Sequence, residues 1–180
     1  LFVSRDVDPK SYRDAMARFA GAVHIVTTDG EAGRRGVTII AGCSVSDDPP
    51  TVLVCLNRHN PANEAFVKNG NFALNTLSDR GVELADAFAG FTRESQDDRF
   101  ARAEWTVLAS GAPVLANAAS VLDCEIEHTH DHATHRVLFG RVTALAIGPS
   151  LAPLIYYDRN YRQLAPEEER SMAVSGRESA

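Results

Sequence analysis

The chain has 180 residues, 44% of them hydrophobic, which suits one compact domain with a sizeable core. Its formal net charge of −6 argues against the basic face that nonspecific nucleic-acid binding requires. No apolar run approaches the ~18 residues of a membrane span, and the first residues lack the charged-then-apolar layout of a secretory signal. The sequence therefore reads as cytoplasmic, with no membrane partner. Cys43, Cys55 and Cys124 lie in apolar, strand-like runs without Cys-x-x-Cys spacing. That pattern predicts reduced, buried packing residues rather than a zinc or redox pair.

Asp8-Pro9 offers a cap and a first-turn proline, and Tyr12, Ala15, Met16 and Phe19 follow at helical spacing. This predicts a helix packed on the core and ended by Gly21. Val23 to Thr28 reads as a strand, and Asp29 to Gly33 as a turn-rich loop. Residues 34 to 57 read as strand, turn and strand. Val37 to Val45 is apolar and β-branched-rich, with Gly42 inside it. Asp47-Asp48-Pro49-Pro50 turns the chain. Thr51 to Leu56 is almost wholly apolar, as for a strand buried on both faces. The stretch opens with Arg34, Arg35, Gly36 and Thr38, which offer cations, a permissive backbone and a hydroxyl. It closes with Asn57-Arg58-His59-Asn60, where a rigid sheet can present polar groups to a ligand. The same residues also suit a glycine turn, two surface arginines and a polar loop.

Pro61 to Lys68 predicts a short helix with Ala65 and Phe66 inward, stopped by Asn69-Gly70-Asn71. Phe72 to Leu77 predicts a strand. Asp79 to Phe88 predicts a helix capped by Ser78 and closed by Gly90, with Leu84 and Phe88 on one face. Residues 91–102 are polar and read as a solvated loop or surface helix. Trp105 to Leu108 suggests a short strand, and Ser110-Gly111-Ala112-Pro113 a turn. Leu122, Cys124 and Ile126 alternate with Asp123, Glu125 and Glu127, the mark of a half-buried strand. Arg136 to Ile147 is a long strand broken at Gly140, and Pro153 to Tyr157 a short one. About seven strands with hairpin-length connections predict a mainly antiparallel barrel or sandwich with a few helices. Residues 10–165 form one domain on this reading, between an N-terminal extension (1–9) and a polar, flexible tail (166–180).

No Gly-x-Gly-x-x-Gly follows a strand and no phosphate-loop motif occurs, so nucleotide folds of those types are unsupported. His128, His130, His132 and His135 form a cluster, but Thr129, Asp131 and Ala133-Thr134 read as a hairpin turn that splays the imidazoles. No metal is therefore expected. Ser44, His135 and Asp158 compose a hydrolase triad only on paper, without a nucleophile elbow.

Five blocks in order carry a resemblance. They are Tyr12-Arg13-Asp14-Ala15-Met16 through Val23–Thr28; Gly36-Val37-Thr38 with Ser44-Val45-Ser46, Pro49-Pro50 and Cys55-Leu56-Asn57-Arg58; Phe72-Ala73-Leu74-Asn75-Thr76-Leu77; Asp98-Arg99-Phe100 with Trp105 and Gly111-x-Pro113; and Thr134-His135 with Val137-Leu138-Phe139-Gly140, Pro153–Tyr157 and Tyr161. Together they resemble the small flavin reductases of two-component flavin-dependent monooxygenases. The resemblance implies an FMN-binding split barrel, mainly β, antiparallel and Greek-key-like, with two to four peripheral helices. It implies FMN or FAD lying against Arg35, Gly36, Val37, Thr38, Ile40 and Ala41, bordered by Cys55, Leu56 and Asn57. Asn60 and Ala62 would lie near the phosphate, Arg34 or Arg35 would neutralise it, and Phe88 would make a further flavin contact. His135 and Tyr157 would hold NADH or NADPH, although the family's Gly-Asp-His is here Ala133-Thr134-His135. Such proteins are homodimers that release reduced flavin to a separate monooxygenase. The alternative under the same fold is a non-catalytic flavin-binding or sensor protein.

Overall fold

The computed structural model of the protein describes Ser4 and residues 6–149 and 152–164. The proposed tail, 166–180, lies outside the described residues. Helix α1 (Pro9–Met16) starts as its sequence dictates, with the Asp8 carboxylate accepting from the Lys10 and Ser11 N–H groups at 2.8 and 3.1 Å. The expected packing face is not buried. Tyr12, Met16 and Phe19 are 58%, 43% and 70% exposed. The helix is held instead by polar links: Arg159 to Asp14 at 2.6 Å, and the Asp158 N–H to the Ala17 carbonyl at 2.7 Å. These links anchor the helix without requiring its apolar stripe to pack on the sheet.

Strand β1 (Gly21–Ala22) belongs to a small sheet described below. Strands β2 (His24–Thr28) and β3 (Arg35–Ile39) pair antiparallel. The apolar run expected as one strand from Val37 to Val45 is two strands, because Ile40 and Ala41 leave the ladder before β4 (Gly42–Asp47). β4 then pairs with β5 (Pro50–Asn57) through a two-residue turn. β5 alternates between half-exposed and buried positions, with Val52, Val54 and Leu56 inward, rather than being buried on both faces as its composition suggests. Double-sided burial falls to β2 and to β6 (Asn71–Thr76).

Between β5 and β6 a 3-10 turn (Pro61–Asn63) leads into α2 (Glu64–Asn69), closed by Gly70 in the left-handed region at φ 72°. Helix α3 (Val82–Ala89) begins at Gly81 without a side-chain cap. Ser78, expected to cap it, is buried and bridges Pro153 instead. Residues 91–102 contain α4 (Gln96–Phe100), set by a reciprocal Ser95–Asp98 capping box. Phe100 is 2% exposed, so this segment is docked rather than solvated. A hairpin of β7 (Trp105–Val107) and β8 (Pro113–Leu115) follows. Strands β9 (Ser120–His132) and β10 (His135–Ile147) form the longest hairpin. β1 pairs with β11 (Ile155–Tyr157), which pairs with β12 (Asn160–Arg162).

The main sheet runs β3-β2-β6-β9-β10-β5-β4, antiparallel throughout. Its inner face gathers Val26, Val54, Leu56, Phe66, Phe72, Cys124 and Leu138 into one core, with Val37 and Ile39 of β3 against it. Residues from both edge strands' neighbourhoods meet there, so the sheet curls into a split barrel. The outer face of β2 and β6 packs Val23, Ile25 and Ala73 beneath Phe88, Phe100 and Leu115 of the helices and small hairpin. No helix among the described residues is long and apolar enough to cross a membrane.

His24, at the start of β2, is held neutral by burial, which lowers its pKa from 6.5 to about 4, with Nδ1 3.1 Å from the Thr76 hydroxyl. The unfolded chain takes up this proton from about 6.5 downward while the folded chain takes it only near about 4. Stability is therefore lost as pH falls through that window. Thermal melts from pH 7.5 to 4 should show a smaller acid-induced drop in Tm for His24→Gln than for the parent, and equal drops would contradict this role.

Candidate functional site

Antiparallel register brings the beginning of β3, the end of β5 and the beginning of β10 to one rim of the barrel. Arg35 enters this rim 9% exposed. Its Nε and Nη2 both donate to Oδ1 of Asn63, each at 3.2 Å. Asn63 Nδ2 in turn donates to the Asn57 carbonyl at 2.9 Å. Burial, and then the neighbouring Arg99 guanidinium, lower the Arg35 pKa from its ordinary value. Among the described residues no carboxylate forms an ion pair with Arg35. A buried cation without an acid partner is costly unless a ligand compensates it. That feature fits an anionic cofactor such as a flavin nucleotide.

Other expected residues gather around this point in varying degrees. Asn57 stands opposite His135 in the β5–β10 ladder, and the Arg58 N–H donates to the Thr134 carbonyl at 3.1 Å. Asn60 accepts from the Ala62 N–H at 3.1 Å and so begins the 3-10 turn that carries Asn63. Cys55 is half-buried, and its N–H donates to the Ala41 carbonyl at 2.9 Å, which lays the 40–41 crossing beside β5. Leu56 is only 3% exposed and points into the core.

Arg34 turns away from this rim. It pairs with Asp97 at 3.0 Å and stacks over the Phe100 ring at 4.4 Å. The Gly36 N–H donates to Gln96 Oε1 at 2.8 Å, and the Thr38 hydroxyl donates to the Ala85 carbonyl at 2.7 Å. Both are engaged by the helices that cover the edge of β3. Phe88 is 1% exposed and sits edge-on to Phe100 and Trp105, with centroids 5.0 and 5.7 Å away. It supports β3 from beneath Gly36.

Val37 packs on the barrel core, whereas Ile40 is 44% exposed. Ile40 lines a cleft of about 160 Å³ with Val23, Thr38, Phe91, Tyr156 and Tyr161. Tyr161 donates to Asp86 at 3.0 Å, and burial followed by that carboxylate raises its pKa. Tyr157 lies on β11 in the small sheet, and among the described residues no hydrogen bond or ring contact joins it to His135. A wider cleft of about 330 Å³ opens near β4, lined by His24, Cys43, Thr76 and Leu145 among others.

The histidine cluster differs from its expected geometry. β9 stays extended to His132, and the turn is confined to Ala133-Thr134, with Ala133 at φ 48°. His128, His130 and His132 therefore share one exposed face, with the His130 and His132 rings 6.4 Å apart. Among the described residues, no group of three or more such side chains is arranged to hold a metal. The cysteines are not uniformly buried either: Cys43 is exposed, Cys55 half-buried and Cys124 buried, its thiol pushed up to about 12 mainly by desolvation.

Asn63 and Gln96 carried no motif signal. Only the folded register shows that one aligns Arg35 and the other satisfies an edge amide of β3.

A family profile described as flavin reductase like domain matches residues 16–165. The chain belongs to this flavin reductase family. A relative named FMN reductase (NADH) RutF 2, from Methylorubrum extorquens, is 48% identical over 165 residues, covering 92% of this chain and 95% of that protein. BorF, the flavin reductase component of a bacterial two-component tryptophan halogenase, has a crystal structure similar at TM-score 0.81 and 26% identity. That match covers 88% of this chain and 99% of the other. The NADH:FAD oxidoreductase SgcE6 of Streptomyces globisporus, in complex with NAD and FAD fragments, matches at TM-score 0.81 and 27% identity over 91% and 99% of the two chains. Arg35, Asn57, Asn63 and His135 all fall inside the matched region.

Within this flavin reductase, Gly36 is a position of close approach: a Cβ there would stand 2.4 Å from Phe88 Cε1. Gly36→Ala should cost about 1–3 kcal/mol through overpacking. A urea melt would read this as a lower midpoint, and an unchanged midpoint would mean that the Phe88 ring can move aside.

Proposed function

We propose that this chain is an NAD(P)H:flavin oxidoreductase that reduces FMN or FAD and releases the reduced flavin to a separate monooxygenase component. The 48% identity to a protein named FMN reductase (NADH), over 92% of the chain, carries this reading and favours FMN and NADH. The halogenase-system neighbour, the reductase component of a two-component system, supports a separate protein component as the recipient. When bound together, the cofactors supply hydride transfer from the nicotinamide C4 to the flavin N5.

The protein's own residues orient and solvate this chemistry. Arg35 provides the positive field, Asn57 and Asn60 provide polar groups at the rim, and Val37 supplies apolar surface that excludes water. Gly36, Thr38, Ile40, Ala41 and Cys55 shape the strand edges alongside. His135, beside Asn57 in the ladder, faces the donor nucleotide; Tyr157, expected beside it, lies on the separate small sheet. A homodimer is part of the reading. Tyr12, Phe19 and Ile147 expose 58%, 70% and 83% of their surface, and the 160 Å³ cleft is smaller than ligand pockets of ~300 Å³ and above. A second subunit would cover the former and enlarge the latter. A cytoplasmic location, where reduced nicotinamide is supplied, belongs to the same reading.

Anaerobic mixing of the purified protein with excess FMN and NADH should bleach the visible flavin absorbance over many turnovers per protein. A stable yellow protein that neither NADH nor NADPH bleaches would point instead to a flavin-binding or sensor role. His135→Ala should raise the KM for the nicotinamide donor several-fold while leaving flavin affinity nearly unchanged, and an unaltered donor KM would remove His135 from the donor site.

A further inference from the structure

A guanidinium as enclosed as that of Arg35 is ordinarily met by a carboxylate. Here a neutral amide stands in that place. Asn63 is itself only 8% exposed, and its Oδ1 accepts from both Nε and Nη2. We propose that Asn63 is a positioning residue that aligns Arg35 without neutralising it, so that the charge is kept for the phosphate of the flavin and phosphorylated flavins are selected over riboflavin. This rests on the reductase reading above.

The surrounding charges are consistent with a site that reserves one cation. Glu94 is engaged by Arg102, Asp97 by Arg34, and Glu64 by Arg136. Asp131 is shared between Arg136 and Arg58. Arg99, the charged group that adds to the field at Arg35, spends its Nε on the Glu94 carbonyl at 3.1 Å and forms no carboxylate pair among the described residues. The neighbouring acids are therefore committed elsewhere, and two guanidinium groups act on the same region. Asn63 uses one edge of the Arg35 fork, and Nη1 makes no hydrogen bond to the described residues. A phosphate oxygen can take donors on that free side.

The amide does a second task that a carboxylate cannot. Its Nδ2 donates to the Asn57 carbonyl, tying the Arg35 geometry to the end of β5. Asparagine supplies an acceptor for the arginine and a donor for the strand end, with no net charge. Aspartate would supply a stronger acceptor, cancel the charge and lose the donor.

The test compares FMN with riboflavin as substrates of the full-length protein, using NADH, for the parent and Asn63→Asp. The parent should prefer FMN over riboflavin in kcat/KM by about tenfold or more, the scale of one charge-assisted contact. That preference should shrink as ionic strength rises. In Asn63→Asp the FMN kcat/KM should fall, through KM, to near that variant's own riboflavin value, so that the FMN-to-riboflavin ratio collapses toward one. Should the aspartate variant not fold, Asn63→Ala removes the alignment without placing a second oxygen beside the Asn57 carbonyl, and a smaller loss of FMN preference is expected because the Arg35 charge remains. Equal losses for FMN and riboflavin would assign Asn63 a structural role only and overturn the proposal. A parent without FMN preference would overturn it too, while leaving the reductase reading intact. A parent that reduces neither flavin would instead sink the reductase reading itself.

Discussion

The structure depends on a two-residue crossing. Ile40 and Ala41 carry the chain from β3, at one edge of the seven-stranded sheet, to β4, at the other. The three Cα steps from Ile39 to Gly42 span at most about 11 Å, so the two edges must lie close together. A flat sheet of seven strands, spaced by about 4.8 Å, would separate its edges by far more. The sheet has to curl, and its curled inner face becomes the core that unites Val26, Val54, Phe72 and Leu138. The same constraint lays Ala41 against Cys55 and places the first strand of the rim near the last.

Curling leaves β2 and β6 covered on both sides, and their polar side chains are satisfied locally. Asn75 is fully buried, donates to the Ile25 carbonyl at 3.0 Å and accepts from the Leu115 N–H at 2.8 Å. Asp123, also fully buried, accepts from the Ser110 N–H at 2.7 Å and from the Ser110 hydroxyl. These bonds attach the small β7–β8 hairpin and the 110–112 turn to the central strands. Among the described residues no buried side-chain nitrogen or oxygen lacks a partner. A satisfied polar layer of this kind fixes register more firmly than apolar contact alone.

Much of the strand content was legible, because β-branched runs and Pro or Gly punctuation act locally. The two-residue turn before β5 and the glycine stops after α2 and α3 follow from such signals, whereas β9 runs on to His132 through residues that read as a turn. What could not be read was direction in space. Nothing local in Val37–Val45 marks Ile40 and Ala41 as the place where the chain changes edges. Tyr12, Met16 and Phe19 have the spacing of a packed face, but the sequence does not say what the face meets. For the rim, Arg35, Asn57 and His135 stood out as polar groups at strand ends. Asn63 did not, because its role exists only once a 3-10 turn lifts it across from β3. Phe88 and Leu56 were expected beside flavin and sit instead within the packing, since side-chain direction follows from register rather than from proximity in sequence.

The bond between Gln96 and the Gly36 amide has a consequence for motion. Gly36 belongs to an edge strand, whose outward amides are satisfied by whatever covers the edge. Here the cover is a side chain on a five-residue helix, held by its capping box and by Phe100. Short helices of that length have little stability of their own. The strand that opens the rim is thus as rigid as α4 is docked, and a fluctuation that lifts Phe100 out of its aromatic cluster frees the edge of β3 at the same moment. Opening of the β3 edge and breathing of α4 would then share a single clock, kept by Gln96 and Phe100.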